Sequence, residues 1–192
     1  MSAQFDIFGG AAAPKHPDGF RYEPDILTTA QELAALDHIR ALPFKEFEFH
    51  GYVGKRRVVS FGWKYDFNDR KLHRTDDMPD FLKQLRTLAA RFADIEPERL
   101  QHALITEYGA GAAIGWHRDR PEFGDVVGIS LLSSCVFRLR RKTADGWERV
   151  SITAEPRSAY LLRGAARTDW EHSIPPVGGL RYSITFRNLR GA

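Results

Sequence analysis

Leu180 to Asn188 reads LRYSITFRN, an unbroken alternation of apolar and polar side chains. In a strand, successive side chains point to opposite faces, so Tyr182, Ile184 and Phe186 share one face and Arg181, Ser183, Thr185 and Arg187 the other. An even spacing puts both arginines on the same face, about 20 Å apart at ~3.3 Å per residue. Such a face is either the solvated side of an edge strand or the lining of a barrel. In the second case each guanidinium needs an anion, because an unpaired buried charge is very costly. A dicarboxylate at one arginine and a second carboxylate near the other would supply them, and bidentate pairing explains arginine rather than lysine.

The rest of the chain agrees with a β-rich fold. Short alternating runs predict strands near 101–108, 126–132, 135–141, 147–153, 158–163 and 170–174, with Asp145-Gly146 as a hairpin signal. The stretch from Arg56 to Phe67 reads as one further strand of period two. Two helices are expected, from about Thr29 to Leu42 and from about Pro79 to Phe92. Thr29 and Glu32 have capping-box spacing, and Pro79 suits a first turn. The first helix turns Leu33, Leu36 and Ile39 to the core, the second Phe81, Leu82, Leu85, Leu88, Ala89 and Phe92. Helices followed by many short strands predict a mainly β, α+β chain with flanking helices around a sandwich or barrel. Residues 1–24, rich in glycine, alanine and proline, read as a flexible tail, and 25–192 as a single domain.

A chain of 192 residues with 43% hydrophobic side chains can bury one core. No apolar run is long enough to span a bilayer, and the N-terminus lacks the features of a secretory signal. A single cysteine, Cys135, suits a cytoplasmic location, and a monomer is the default expectation. A net charge of +3 permits a polyanionic partner without requiring one.

GWHRDRPEFGD, residues 115–125, sets His117 and Asp119 two apart. If extended, both side chains point one way and can grip one ion; the competing reading is a solvated loop of mixed charge. A third ligand from a distant segment would favour the ion, and His172 in DWEHSIPP is the candidate. Two histidines and a carboxylate form the facial triad of non-haem Fe(II) oxygenases. Thr106 and Tyr108 in ALITEYGAG share a strand face and can hydrogen-bond the same acid as the arginines, although alone they are ordinary strand residues.

Together, LITEYGAGAAIGWHRD, EHSIPPV and RYSITFRN resemble the AlkB family of Fe(II)- and 2-oxoglutarate-dependent dioxygenases, across about residues 101–190. The resemblance implies a double-stranded β-helix, or jelly roll, over 101–190, with Fe(II) as cofactor and 2-oxoglutarate and O2 as co-substrates. It implies His117, Asp119 and His172 as iron ligands. Arg181 matches the arginine that pairs with the distal carboxylate of 2-oxoglutarate, Arg187 the second arginine on the iron side, and Tyr108 a tyrosine that bonds the co-substrate. Thr106 and Ser183 stand where the family often has asparagine, and Thr185 lies on the same face. Pro121 stands where the family prototype has an acid that contacts the damaged base, with Glu122 next to it, so base preference does not carry over.

The implied reaction is oxidative demethylation of N-alkylated bases, with DNA repair the expected role and RNA, protein or a small molecule the alternative substrates. A β-barrel binding module without catalysis is the reading from another class. Within 25–100, GYVGKRRVVSFGWKYDF is expected to form a nucleotide-recognition lid, with Trp63 or Tyr65 stacking on the base and Arg56 and Arg57 meeting phosphates; its competitor is an ordinary core stripe. In the tail, Gln4, Ile7 and Phe8 of QFDIF resemble the pentapeptide that docks bacterial repair proteins on the replication sliding clamp.

Overall fold

The protein is described by a computed structural model covering residues 16–49, 52–66 and 69–191. In chain order, β1 (Phe20–Glu23) precedes helix α1 (Thr29–Arg40). Next come β2 (Lys45–Phe49), β3 (Tyr52–Phe61), β4 (Trp63–Asp66), β5 (Lys71–Arg74) and helix α2 (Asp80–Ala93). The second half contains β6 (His102–Tyr108), β7 (Ile114–His117), β8 (Phe123–Leu131), β9 (Cys135–Thr143), β10 (Gly146–Ala154) and β11 (Ala159–Leu162). A short helix α3 (Gly164–Thr168), β12 (Glu171–Ile174) and β13 (Arg181–Leu189) complete it. None of these helices is long and apolar enough to cross a membrane.

Seven strands form one sheet in the order β1-β11-β8-β13-β6-β3-β2, and four form a second in the order β10-β9-β12-β7. From β6 onward the chain passes back and forth between the two, which is the winding of a jelly roll. The expected fold class is therefore the observed one. The strand from Leu180 accounts for the arrangement. Tyr182, Ile184 and Phe186 join a core under the helices that includes Leu36, Ile39, Leu82 and Leu85. Its other face looks between the sheets, where a second core gathers Tyr108, Phe137, Leu139, Tyr160 and Trp170.

Four expectations need correction. The expected tail ends at residue 24, yet Phe20–Glu23 pairs with β11 and closes one edge of the larger sheet. Phe20 is buried beside Phe137, an anchor that composition alone does not reveal. The run from Arg56 to Phe67 is not one strand. Gly62 has φ +76, and a Cβ there would stand 2.1 Å from the Gln101 carbonyl oxygen, so the chain breaks and β4 pairs with β5 as a separate hairpin. The capping box of α1 is Thr28 with Gln31, one residue before the expected pair. Glu32 instead ties α1 to the barrel. Its buried side chain accepts the Leu132 amide at 2.8 Å and meets Arg157 at 3.6 Å. Leu33 is 57% exposed, because the α1 face seen by the core is Glu32, Ala35, Leu36 and Ile39.

Candidate metal and co-substrate site

The three distant polar residues converge through sheet pairing. His117 ends β7, and His172 is its direct partner on β12. Their ring centroids lie 4.2 Å apart. Asp119 follows just beyond β7, with Oδ2 3.6 Å from His172 Nε2. The His117 ring lies with Nδ1 2.9 Å from the Gly115 carbonyl oxygen, which fixes its plane. Among the described residues no three such side chains have their donor atoms gathered on one point as they stand. Asp119 Oδ1 is drawn toward Arg187, which donates through Nε at 2.8 Å and Nη2 at 2.6 Å.

The chemistry of this donor set nevertheless fits a divalent iron. Asp119 Oδ2 is buried and has no hydrogen-bond partner, so a buried carboxylate oxygen beside two imidazoles lacks what a cation would supply. Burial acts to raise the Asp119 carboxyl pKa, but Arg187, His172 and His117 outweigh it and hold it below the usual carboxylate range. Burial and the neighbouring His117 push His172 down to about 3. Asp119 thus offers a carboxylate and His172 a neutral imidazole, the protonation states that metal binding needs.

The second constellation is the β13 face. Pairing with β6 sets Arg181 beside Tyr108, Ser183 beside Thr106 and Arg187 beside His102, all buried. Arg181 is 1% exposed. It donates from Nη2 to Ser130 Oγ at 3.1 Å and lies over the Tyr108 ring, while its Nε and Nη1 find no partner. A buried guanidinium with two unsatisfied nitrogens is the counterpart of a missing carboxylate. Ser183 Oγ donates to the Tyr108 hydroxyl at 3.5 Å, and Thr185 lies opposite Gly128 of β8.

Gly128 is required by what crosses it. A Cβ there would stand 2.2 Å from Tyr160 Cζ, so glycine admits the Tyr160 ring between the sheets. Tyr160 packs on Phe137, which stacks on His172. Burial and the Tyr108 hydroxyl keep the Tyr160 phenol protonated, a donor held above the ordinary range. Sequence reasoning misses His102, Ser130 and Tyr160 as site residues. His102 is legible in part, because it has the same strand parity as Thr106 and Tyr108. Arg187 Nη1 lies 3.3 Å from its Nδ1, and burial followed by the Arg187 charge holds the imidazole well below its ordinary pKa. Tyr160 has no local signal, since only the packing of β11 on β8 makes its glycine neighbour meaningful.

The expected lid residues divide. Arg56 pairs in register with Tyr108 and lies on the site side of β3, half-buried. Arg57 does not meet its expectation: it faces the opposite side, bonded through Nε to Glu107 at 2.7 Å and lying over Phe44. Tyr65 is buried with Arg120 stacked 4.2 Å over its ring, so the β4–β5 hairpin touches the loop that follows Asp119. Trp63 is partly exposed, with Arg74 over its ring. Glu122 has one buried carboxylate oxygen without a partner. Arg167, buried by β8, donates to the carbonyls of Arg120, Phe123 and Gly124 and so shapes this loop. Gln4, Ile7, Phe8 and Phe67 lie outside the described residues.

Residues 19–187 match the family model of the 2OG-Fe(II) oxygenase superfamily. The alkylated DNA repair protein ALKBH8 homolog of Arabidopsis thaliana is 26% identical over 178 residues, covering 79% of this chain and 49% of that protein, so the chain spans about half that relative's length. The solved structure of OsALKBH1 superposes with TM-score 0.67 at 16% identity, covering 88% of this chain and 96% of that one. A prolyl hydroxylase of Trichoplax adhaerens, in complex with a hypoxia inducible factor peptide, does so with TM-score 0.64 at 14% identity, covering 89% and 83%. At these identities the two structures show the fold alone. The site geometry, the family match and the AlkB-type relatives agree, and the chain belongs to the 2OG-Fe(II) oxygenase superfamily, whose members use Fe(II), 2-oxoglutarate and O2.

Proposed function

We propose that this dioxygenase oxidatively demethylates N-alkylated bases in nucleic acid, DNA first, releasing formaldehyde, succinate and CO2. The observation that carries the dioxygenase part of the reading is Arg181: a fully buried guanidinium with two unpartnered nitrogens, on the same strand face as the Asp119–Arg187 pair. His117, Asp119 and His172 would hold the iron, and Arg181, with Ser183, Tyr108, Thr106 and Thr185 around it, the distal carboxylate of 2-oxoglutarate. Bound there, iron, 2-oxoglutarate and O2 supply oxidation of a substrate C–H bond coupled to decarboxylation of the acid.

The chain's own residues do the positioning. Arg187 holds Asp119 ionised by charge and by two short donors. Arg181 fixes one end of the acid, and the buried hydroxyls of Tyr108 and Ser183 border it without adding charge. The apolar ring of Phe137 backs His172 and excludes water. Hydroxylation of an N-methyl carbon leaves an N-hydroxymethyl group that collapses to formaldehyde and the unmethylated base, still in its strand. The base itself must leave its stack to reach the site. In this reading Trp63, Arg56 and Glu122 would meet the displaced nucleotide, and Tyr65, covered by Arg120, sets the hairpin rather than stacking on a base. The AlkB-type repair relative supports nucleic acid over the other substrate classes.

The test is formaldehyde release from a 1-methyladenine or 3-methylcytosine oligonucleotide with Fe(II) and 2-oxoglutarate. Release supports the reading. Succinate without formaldehyde points to the same chemistry on RNA, protein or a small molecule, and absence of both leaves a binding module. Docking of the tail on the replication sliding clamp is a separate proposal. It is tested by titrating a peptide of residues 1–12 against the clamp, and no binding at high micromolar concentration ends it.

A further inference from the structure

The strands that turn His117 and His172 inward turn Trp116 and Glu171 outward, by their period of two. That outer face of the smaller sheet carries a second constellation. Arg140 is the register partner of both Arg149 and Glu171, Lys142 of Trp147, and Arg138 of Ser173. The face is open. Helices α2 and α3 pack on strands of the larger sheet, while Lys142, Trp147 and Arg149 are exposed, Trp147 by 40%.

Guanidiniums and indoles interleave across it. Arg140 Cζ lies 4.1 Å from the Trp147 ring centroid and 4.3 Å from that of Trp116, and Arg138 Cζ lies 5.0 Å over Trp116. The order is Trp147, Arg140, Trp116, Arg138. Each stacked arginine is also anchored through Nε, Arg138 to Ser173 Oγ at 3.0 Å and Arg140 to Glu171 Oε2 at 2.7 Å. A ligand therefore meets cations whose side-chain freedom is already spent. Four cations (Arg138, Arg140, Lys142 and Arg149) face one carboxylate, Glu171. Arg140 and Arg149 stand directly opposite on adjacent strands, a like-charge pair of which Glu171 neutralises only Arg140.

We infer that this face docks single-stranded nucleic acid, with phosphates at Arg138, Arg140, Lys142 and Arg149 and a base stacked on Trp147. Cations repeat every second residue along β9, about 7 Å apart, and track an extended anionic backbone. The exposed indole between them offers a base a stacking surface, which an acidic peptide has no use for. The inference rests on the proposed nucleic-acid substrate. Trp116, on the outer face, is followed at once by His117 and the 118–122 loop, so a strand leaving this face passes the edge of β7 to the mouth of the site.

The full chain is titrated with a fluorescein-labelled, unmodified 12-nucleotide DNA at 50 and 200 mM salt. The K142A/R149A variant should bind at least tenfold more weakly at 50 mM salt, with a salt slope shallower by about 1.4. Trp147→Ala should lose about tenfold. No binding by the wild type at 50 mM salt overturns the inference. So does an affinity within twofold of wild type in both variants, when their thermal unfolding midpoints are intact. Displacement by polyglutamate as effective as by nucleic acid of equal charge also overturns it, in favour of an acidic protein partner. Formaldehyde release from a methylated trinucleotide, too short to reach the face, tests the substrate separately. Release there with unchanged variant affinities sinks this surface alone. No release from any oligonucleotide sinks the proposed reaction, whatever the affinities.

Discussion

Arg181 illustrates what one residue can require of its surroundings. Its guanidinium is buried with two nitrogens unsatisfied, which destabilises the unliganded protein and favours any carboxylate that fits. Arg181→Met removes both effects. The unliganded variant should be at least as stable as wild type to urea, because a buried unpaired charge gives way to an apolar side chain of similar length. The affinity for 2-oxoglutarate should fall roughly thirtyfold or more, the loss of a charge-assisted pair worth about 2–3 kcal/mol. Calorimetric titration with 2-oxoglutarate and urea unfolding read the two effects independently. A variant that binds the acid as well as wild type would remove Arg181 from the site.

At the scale of elements, the site depends on strand breaks as much as on strands. Gly62 ends β3 and frees the β4–β5 hairpin to reach the loop after Asp119 through Tyr65 and Arg120. Its positive φ and the Gln101 carbonyl leave no space for a side chain. Gly62→Ala should cost at least ~1–2 kcal/mol of stability from the left-handed backbone alone. Hydrogen exchange should quicken over 63–74 first, since the β4–β5 pair forms a sheet of its own. Uniform exchange across the domain would show that the hairpin is not a separate unit. The alternation around Gly62 looks continuous in sequence because a glycine hinge preserves apolar parity on both sides of a turn.

The whole molecule encloses two histidines that the unfolded chain would expose. His172 is pushed down to about 3 by burial and His117, and His102 lies well below its ordinary value by burial and Arg187. Both folded values are below the unfolded one, so the unfolded chain takes up these protons first. Their stabilising effect is complete above about pH 6.5 and is lost as pH falls, for His172 toward about 3. Asp119, held below its ordinary range, adds a loss of the same sign at lower pH. Metal-free protein should therefore lose ~1.4 kcal/mol per pH unit for each histidine below pH 6. Urea unfolding at pH 7.5, 6 and 5 measures this, and a flat profile would mean that neither imidazole is buried neutral.

Sequence alone determined the β-rich class, the strands from β6 onward except β7, the two helices and the shared face of Arg181 and Arg187, because each follows from periodicity within a few residues. His117 and Asp119 were legible for the same reason. Tertiary structure decided that His172 is the cross-strand partner of His117, that Phe20–Glu23 closes the larger sheet, and that Arg57 turns to Glu107 while Arg56 stays with Tyr108. It also supplied His102, Ser130 and Tyr160, and the Trp–Arg face on the outside of the same strands. Local patterns set which way a side chain points, whereas register between distant strands sets what it meets. Burial then turns those meetings into unsatisfied charge and shifted protonation.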